Sequence, residues 1–187
     1  MKISVCIPTY NRAAHLANCL RSIIVNKSKS KTDFQVCVSD NCSSDGTEDA
    51  VRRAQASMEI KYRKNPSHLG MPRNFLNAVE MADGEFVWLI GDDDLLLPCA
   101  LEELHDLTGK HPGVDFFYIN SFHLTARYVA SFPQPFDIAN LPKAMQPFSS
   151  WPHSGEMKFM DLIDPRISFD FLGGMYLSVF RRRNWIQ

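Results

Sequence analysis

The chain has 187 residues, of which 45% are hydrophobic and 22% charged, a composition typical of a folded globular protein and unlike that of a disordered one. Twenty Lys and Arg against 21 Asp and Glu give a formal net charge of -1, so no overall field would gather nucleic acid or an anionic membrane. No apolar stretch approaches the roughly 20 residues that span a bilayer. Five cysteines without metal-ligand spacing argue against zinc and against a disulfide framework, so we expect a cytoplasmic protein.

The first part of the chain alternates between strand spacing and helix spacing. The predicted strands are residues 3–7, 34–40, 59–63, 86–90 and 114–119. The predicted helices are residues 13–25, one from Asp45 to about Ala56, residues 73–81, and one that begins near Pro98. Strands that alternate with helices in this way predict an α/β fold, with a mostly parallel sheet flanked by helices on both faces.

The second part of the chain lacks this regular pattern. Residues 132–152 contain five prolines and little periodicity, which predicts a long loop. Residues 155–163 are predicted as a short helix and residues 175–180 as a strand. We expect one domain whose two parts, residues 1–122 and 123–187, do different jobs.

Polar residues follow three of the predicted strands at the point where each strand ends. They are Thr9, Tyr10, Asn11 and Arg12 after the first, Asp40 and Asn41 after the second, and Asp92, Asp93 and Asp94 after the fourth. Ligands of open parallel sheets bind beyond the carboxyl ends of the strands, so these residues should converge. Asp40 is placed to bind the edge of a nucleobase, and Tyr10 is placed to cover the ring of the base. Taken alone, Asp40 is better explained as a turn former and Tyr10 as an exposed aromatic residue.

The three successive aspartates indicate a divalent cation. Neighbouring carboxylates repel one another, and Mg²⁺ or Mn²⁺ would neutralise them and bridge to phosphate oxygens. The alternative is an acidic loop whose last Asp caps the next helix. We favour the metal because a buried strand fixes the acids at its tip. Arg73 follows the Gly70 turn at a helix start, where it either reaches a ribose or phosphate or is a solvated helix arginine.

These motifs, in this order, resemble the N-terminal half of an inverting glycosyltransferase of family 2 with the GT-A fold. The matching segments are residues 4–12, 38–47, 65–70 with Arg73 and Asn74, and 84–94 with Pro98; residues 173–183 are a weaker match. The resemblance implies that residues 1–122 bind a nucleotide-diphosphate sugar and that residues 123–187 are an incomplete acceptor side. It implies transfer of a hexose or deoxyhexose to a hydroxyl of a saccharide or lipid-linked saccharide, in lipopolysaccharide or capsule synthesis.

The resemblance also implies a role for individual positions. The nucleotide-binding residues would be Pro8, Thr9, Tyr10, Arg12, Asp40, Asn41, Arg73 and Asp92. Asp93 and Asp94 would bind Mn²⁺ or Mg²⁺: Asp93 matches the metal-binding acid of the family's DxD motif and Asp94 the acid after it, although Gly91 stands where many members have the first acid.

The general base is expected to be missing. In the family it usually follows the Phe-Arg-Arg strand, after which only four residues, from Asn184, remain, so we expect it beyond Gln187. Asp164 and Asp170 are weak candidates within the chain. The alternative function is therefore a truncated or non-catalytic module that binds a nucleotide sugar.

Other classes fit the sequence less well. A nicotinamide dehydrogenase needs glycines after the first strand, and residues 8–12 contain none. A metal-dependent phosphatase would need histidines at ligand spacing, which the chain lacks. Arg181 to Arg183 would allow peripheral contact with the inner face of the cell membrane, or else form an ordinary solvated basic face.

Overall fold

The structure is a computed structural model that describes residues 2–29, 32–149, 154–158, 160, 174 and 177–185. Its strands are β1 (Ile3–Thr9), β2 (Phe34–Asp40), β3 (Lys61–Lys64), β4 (Phe86–Leu89), β5 (Phe116–Tyr118) and β6 (Ser178–Arg181). Its α-helices are α1 (Ala13–Lys29), α2 (Thr47–Gln55), α3 (Met71–Glu80), α4 (Ala100–Lys110) and α5 (Ala126–Ala130).

The strands form one sheet in the order β3-β2-β1-β4-β6-β5. The first four in this order are parallel, and β6 is antiparallel to both of its neighbours. β1 lies between β2 and β4, so the strand order reverses at β1, and the crevice between the carboxyl ends of β1 and β4 is the switch point where open α/β sheets bind ligands.

Apolar side chains cover the sheet on both faces. One face packs against α1, α2 and α4, with Leu20, Val51 and Leu104 in a single core that includes Val5. The other face packs against α3, where Val79 lies in a smaller cluster with strand residues such as Cys6. Successive residues of a strand point to opposite faces, and every residue of β1 is buried because both faces are covered. The predicted α/β class with a mostly parallel sheet is confirmed.

Some predicted boundaries moved. β3 begins at Lys61 and not at 59, and β5 is shorter than residues 114–119. α3 begins two residues before the predicted start, because Pro72 lies in its first turn, where the fixed φ of proline suits a helix and its missing N–H leaves no bond unmade. Of the helix predicted at 155–163, residues 155–158 are not helical, Met160 is helical, and residues 159 and 161–163 lie outside the described part of the chain.

The segment 123–149 is mostly irregular, as predicted, but it includes α5 and a 3-10 turn at Ile138–Asn140. Phe136 attaches it to the rest of the protein: its side chain is fully buried, and its N–H donates to Asn18 Oδ1 on α1 at 2.7 Å. The ring of Phe136 also meets the ring of Phe132, with centroids 5.5 Å apart. None of the helices formed by described residues combines the length and hydropathy that a membrane crossing requires.

Candidate functional site

The candidate site begins where β1 and β4 end side by side. Thr9 Oγ1, the last hydroxyl of β1, donates to Asp92 Oδ2 at 2.7 Å, although the two residues are 83 positions apart. The Asp92 side chain is only 6% exposed. Burial raises the pKa of Asp92, while the Thr9 hydrogen bond and the charge of Arg12 oppose that rise. The parallel register of β1 and β4 therefore places a buried acid at the switch point.

Arg12 joins this acid to its neighbour. Its Nε lies 3.2 Å from Asp92 Oδ1, and its Nη2 lies 2.6 Å from Asp93 Oδ2. The Arg12 side chain is 42% exposed and that of Asp93 is 52% exposed, so both face the solvent side of the crevice. One guanidinium thus pairs with two of the three consecutive aspartates.

Hydrogen bonds between the β1–α1 and β2–α2 turns fix the backbone around Arg12. Asn11 has a φ of 51°, in the left-handed region, and its N–H donates to Ser43 Oγ at 2.8 Å. Asp45 accepts from Ala13 N–H, at the start of α1, and from Thr47 N–H, at the start of α2. The free N–H groups at two helix starts are satisfied by one carboxylate, which holds the turns together.

The third aspartate folds back on its own turn. Asp94 Oδ2 accepts from Gly91 N–H at 2.6 Å, and burial raises the pKa of Asp94 to about 7, with the charges of Asp93 and Asp92 adding to the rise and the Gly91 bond opposing it. A Cβ at position 91 would lie 2.8 Å from Asp93 Oδ1 and 3.0 Å from Asp94 Oδ2. Glycine at position 91 therefore lets both carboxylates lie over the turn, which explains why an acid does not stand there.

The three aspartates do not converge as an all-protein metal cage would require, and across the described residues no group of three or more His, Cys, Asp or Glu does so. Asp92 is held by Thr9 and Arg12, and Asp94 by Gly91. Asp93 remains half exposed. A single exposed carboxylate fits Mg²⁺ or Mn²⁺, because such ions commonly take one or two carboxylates and complete their shell with water and phosphate oxygens. The assignment of Asp94 as a metal ligand stays a prediction.

Asp40 lies below the surface at the end of β2. It is fully buried; its Oδ1 accepts from Ser43 N–H at 2.8 Å, and its Oδ2 accepts from Tyr62 OH at 2.7 Å. Burial and the bond to Asp40 raise the pKa of Tyr62 well above its ordinary value. Each carboxylate oxygen has a second lone pair, so contact with a base edge stays a prediction for Asp40.

Buried asparagines shape the same edge of the sheet. Asn41 accepts from Leu69 N–H at 2.8 Å, which fixes the loop before α3. Asn74, on α3, donates to the carbonyls of Ser39 and Thr9 at 3.0 and 3.3 Å and accepts from Asn65 Nδ2 at 2.9 Å. Asn74 thus connects β1, β2 and α3. It was not predicted as a site residue; its place one residue after Arg73, in the first turn after Gly70, was the available signal.

The remaining predicted nucleotide residues lie in different places. Tyr10 is exposed, and its ring centroid is 4.4 Å from that of His68, a residue that the sequence did not single out. Pro8 is buried within β1. Arg73 is at the rim, with its Nη2 3.4 Å from Glu80 Oε1. These roles also stay predictions.

The basic cluster at the end of β6, Arg181 to Arg183, bonds largely to other groups of the protein. Arg181 is buried; its Nε donates to Asp115 Oδ1 at 2.6 Å, and its guanidinium also pairs with Glu85. Arg182 Nε donates to the carbonyl of Gly84 at 3.1 Å. Arg183 is exposed, with its Nη2 3.3 Å from Asp115 Oδ1. Arg181 and Arg182 are therefore bonded to the protein itself, whereas Arg183 is exposed, and membrane contact by this cluster stays a prediction.

The candidates for a general base are not brought to this site by the described structure. Asp164 and Asp170 lie outside the described residues. Glu156, the described acid nearest to them in the sequence, pairs with His111.

Comparisons with known proteins agree with this geometry. A model of glycosyl transferase family 2 matches residues 4–155. The abequosyltransferase RfbV of Salmonella typhimurium is 46% identical over 103 residues, which is 54% of this chain and 31% of RfbV. The GalNAc(5)-diNAcBac-PP-undecaprenol beta-1,3-glucosyltransferase of Campylobacter jejuni is 38% identical over 105 residues, 55% of this chain and 33% of that protein. The chain thus spans about a third of the length of these relatives.

Solved structures show the same fold. TarS 1-349 of Staphylococcus aureus, in complex with UDP-GlcNAc, has a TM-score of 0.61 and 29% identity over 68% of this chain and 36% of its own. The mannosyltransferase PcManGT of Pyrobaculum calidifontis, in complex with GDP-Man and Mn²⁺, has a TM-score of 0.53 and 25% identity over 63% of this chain and 34% of its own.

Proposed function

We propose a function from the premise that this chain belongs to glycosyltransferase family 2, whose model matches residues 4–155. It supplies the donor-binding part of an enzyme that moves a hexose or deoxyhexose from a nucleotide-diphosphate sugar to a hydroxyl, with inversion. The acceptor is a saccharide or a lipid-linked saccharide of the cell envelope. The activities of the Salmonella and Campylobacter relatives, an abequosyltransferase and a glucosyltransferase on an undecaprenol-linked glycan, support this choice.

One observation carries the proposal: Asp92, Asp93 and Arg12 meet at the β1–β4 switch point. Thr9 and Arg12 fix Asp92 through both of its oxygens. Asp93 is half exposed and lies beside the guanidinium of Arg12. A crevice with a guanidinium and a half-exposed carboxylate suits a diphosphate, which needs a positive partner on its oxygens and a site for the metal that accompanies it.

Asp93 would hold the divalent cation, Mn²⁺ or Mg²⁺, whose charge would stabilise the negative charge that builds on the departing nucleoside diphosphate. Asp92 would hold Arg12 in place beside Asp93, because both oxygens of Asp92 are bonded, one to Thr9 and one to Arg12, and its orientation is therefore fixed. Asp94 supports the position of Asp93 by holding the turn at Gly91.

The nucleoside would lie over β2 and its loop. Tyr10 presents an exposed ring that can stack on a base, and Asp40 lies beneath, held by the Ser43 N–H and the Tyr62 hydroxyl. Asn41 positions the loop that carries His68 beside Tyr10. In this proposal these residues bind and orient the donor, which places the anomeric carbon for attack by the acceptor hydroxyl.

The base that takes the acceptor's proton lies, in this proposal, outside the described residues. A positioned base contributes about 10² to 10⁴ in rate, so its presence separates an enzyme from a module that only binds. We also propose that the protein works in the cytoplasm, at the inner face of the membrane where lipid-linked acceptors are held. Since Arg181 and Arg182 bond to the protein itself, that contact would have to use other residues.

The test is incubation of the full chain with labelled nucleotide sugars, Mn²⁺ and a saccharide or lipid-linked saccharide acceptor, followed by separation of bound donor from free nucleotide. Retention of one donor together with release of its nucleotide supports a transferase. Retention without release supports the alternative, a donor-binding module without its base. A chain that retains none of the UDP, GDP, CDP and dTDP sugars contradicts both.

A further inference from the structure

Arg12 and a cation at Asp93 would share one carboxylate. Asp93 Oδ1 lies over the Gly91 turn, where a Cβ at position 91 would come within 2.8 Å of it. Asp93 Oδ2 accepts from Arg12 Nη2 at 2.6 Å. A metal ion that binds Asp93 would therefore lie close to a guanidinium that is already bonded to the same carboxylate.

The two ends of Arg12 are held to different degrees. Its Nε pairs with Asp92, whose side chain is only 6% exposed and whose second oxygen is bonded to Thr9, so this contact is fixed. Its Nη2 pairs with Asp93 where both side chains are about half exposed. Ion pairs in such exposed positions contribute little net free energy and exchange partners readily. The guanidinium can thus release Asp93 without leaving Asp92.

We infer that Arg12 is a positioning residue that exchanges partners. When no divalent cation is bound, its Nη2 neutralises the charge of Asp93. When a divalent cation binds Asp93, Arg12 turns its Nη groups to the donor's diphosphate. This inference rests on the proposed function. Two cations at one carboxylate repel each other, which favours release of the guanidinium. The two phosphate groups then offer it paired oxygens that match the planar arrangement of its N–H donors.

The exchange predicts effects of opposite sign for two ligands. Without Arg12, Asp93 carries no competing cation, so Mn²⁺ alone should bind more tightly. The diphosphate, in contrast, loses its guanidinium partner and should bind more weakly in the presence of Mn²⁺. A residue that merely holds the turn would, when removed, loosen the site and weaken both ligands together.

The experiment uses the full chain, with Mn²⁺ binding measured by electron paramagnetic resonance of the free ion and nucleoside diphosphate binding measured by calorimetry in saturating Mn²⁺. We expect Arg12→Gln to bind Mn²⁺ alone about threefold to tenfold more tightly and UDP, or whichever of UDP, GDP, CDP and dTDP the wild type binds best, about tenfold or more weakly. Arg12→Lys keeps the charge but not the planar arrangement of donors, so its Mn²⁺ affinity should stay near that of the wild type and its diphosphate affinity should be intermediate.

Arg21→Gln is the matched control. Arg21 is on α1, is 44% exposed and has its own partner, with its Nη2 3.7 Å from Asp137 Oδ2, away from the acidic turn. Both affinities should match the wild type. Thermal melting shows whether each variant is folded, and Arg12→Lys keeps the inference testable if Arg12→Gln is not.

The outcomes distinguish a failure of the proposed function from a failure of the partner exchange. A wild-type chain that binds no nucleoside diphosphate with Mn²⁺ contradicts the proposed function itself. If the wild type binds a nucleoside diphosphate, and Arg12→Gln changes the Mn²⁺ and diphosphate affinities in the same direction or changes neither, the partner exchange is overturned. The proposed function is then unaffected. If only Arg12→Lys folds, Mn²⁺ binding several times weaker or tighter than in the wild type overturns the exchange.

Discussion

The strand-end site and the segment 123–149 are held in opposite ways. At the ends of β1, β2 and β4, polar side chains share partners, so that Asn74 alone bonds to Ser39, Asn65 and Thr9. The segment is attached to α1 by fewer contacts: the buried ring of Phe136, the N–H bond of Phe136 to Asn18, and an exposed ion pair between Asp137 and Arg21. The strand-end site is therefore held by many shared bonds, whereas the position of the segment depends on a few side chains, of which Phe136 is the largest that is fully buried.

Removal of the Phe136 ring should show the largest effect. We expect Phe136→Ala to lower the free energy of unfolding by about 3–4 kcal/mol, because a fully buried ring leaves a cavity as well as losing its transfer free energy. Phe132→Ala is the control: this ring is only half-buried, so we expect a loss of about 1 kcal/mol. Chemical denaturation measures both. A loss below about 1 kcal/mol for Phe136→Ala would show that the segment has other anchors.

The return of the chain into the sheet at β6 is held by its pairing with β4 and β5 and also by one buried side chain, Arg181. Arg181 bonds to Asp115 and to the carbonyl of Pro112, and it lies over the ring of Phe86. We expect Arg181→Ala to lower the free energy of unfolding by about 2–3 kcal/mol. The carbonyl of Pro112 would lose a charged hydrogen-bond donor, and the buried aliphatic part of the Arg181 side chain would be removed.

Arg183→Ala provides the comparison, since Arg183 pairs with the same Asp115 from an exposed position. Its effect should stay within about 0.5 kcal/mol. Similar losses for the two variants would mean that the charge on Asp115, and not the burial of Arg181, is what matters.

The smallest expected effect is pH-dependent and belongs to the strand-end site. Burial raises the pKa of Asp94 to about 7, so between about pH 4 and pH 7 the folded protein binds more protons than the unfolded chain, and stability falls as the pH rises through this range. Asp94→Asn, whose amide oxygen can still accept from Gly91, should remove this slope. In metal-free buffer we expect it to gain about 1–2 kcal/mol at pH 8.

Denaturation curves at several pH values measure this gain. Asp106→Asn, at an exposed position of α4, should leave the slope unchanged. A gain for Asp94→Asn that is the same at pH 4 and pH 8 would contradict the titration of Asp94 in this range.

The order of strands and helices through residue 119 follows from local patterns, and so does the presence of polar residues at the strand ends. Contacts between distant residues do not. The bond from Thr9 to Asp92 depends on β1 and β4 lying side by side, and the place of Arg12 depends on that bond and on the Asn11 turn. No periodicity indicates that Asp94 folds onto Gly91 and leaves Asp93 half exposed. The antiparallel position of β6 between β4 and β5 likewise depends on a long-range return of the chain.

The prediction for Asn41 illustrates the same limit. Its place after β2 puts it at the strand ends, but the sequence could not distinguish a ligand contact from a structural bond, and its role in nucleotide binding stays a prediction. In the fold its side chain is buried and holds the Leu69 backbone. A buried amide at a strand end satisfies backbone groups first, because an unpaired polar group there costs about 1–3 kcal/mol.

The proposed donor binding depends most on Asp93, the carboxylate that would link a divalent cation to the donor's diphosphate. Titration calorimetry of UDP, GDP, CDP and dTDP into the wild-type chain and Asp93→Ala, with and without Mn²⁺, tests this role directly, and Asp106→Ala serves as the control. We expect one nucleotide to bind the wild type and Asp106→Ala about tenfold or more tightly with Mn²⁺ than without, and Asp93→Ala to lose this difference. Equal affinity of the wild type and Asp93→Ala in Mn²⁺ would contradict this role of Asp93.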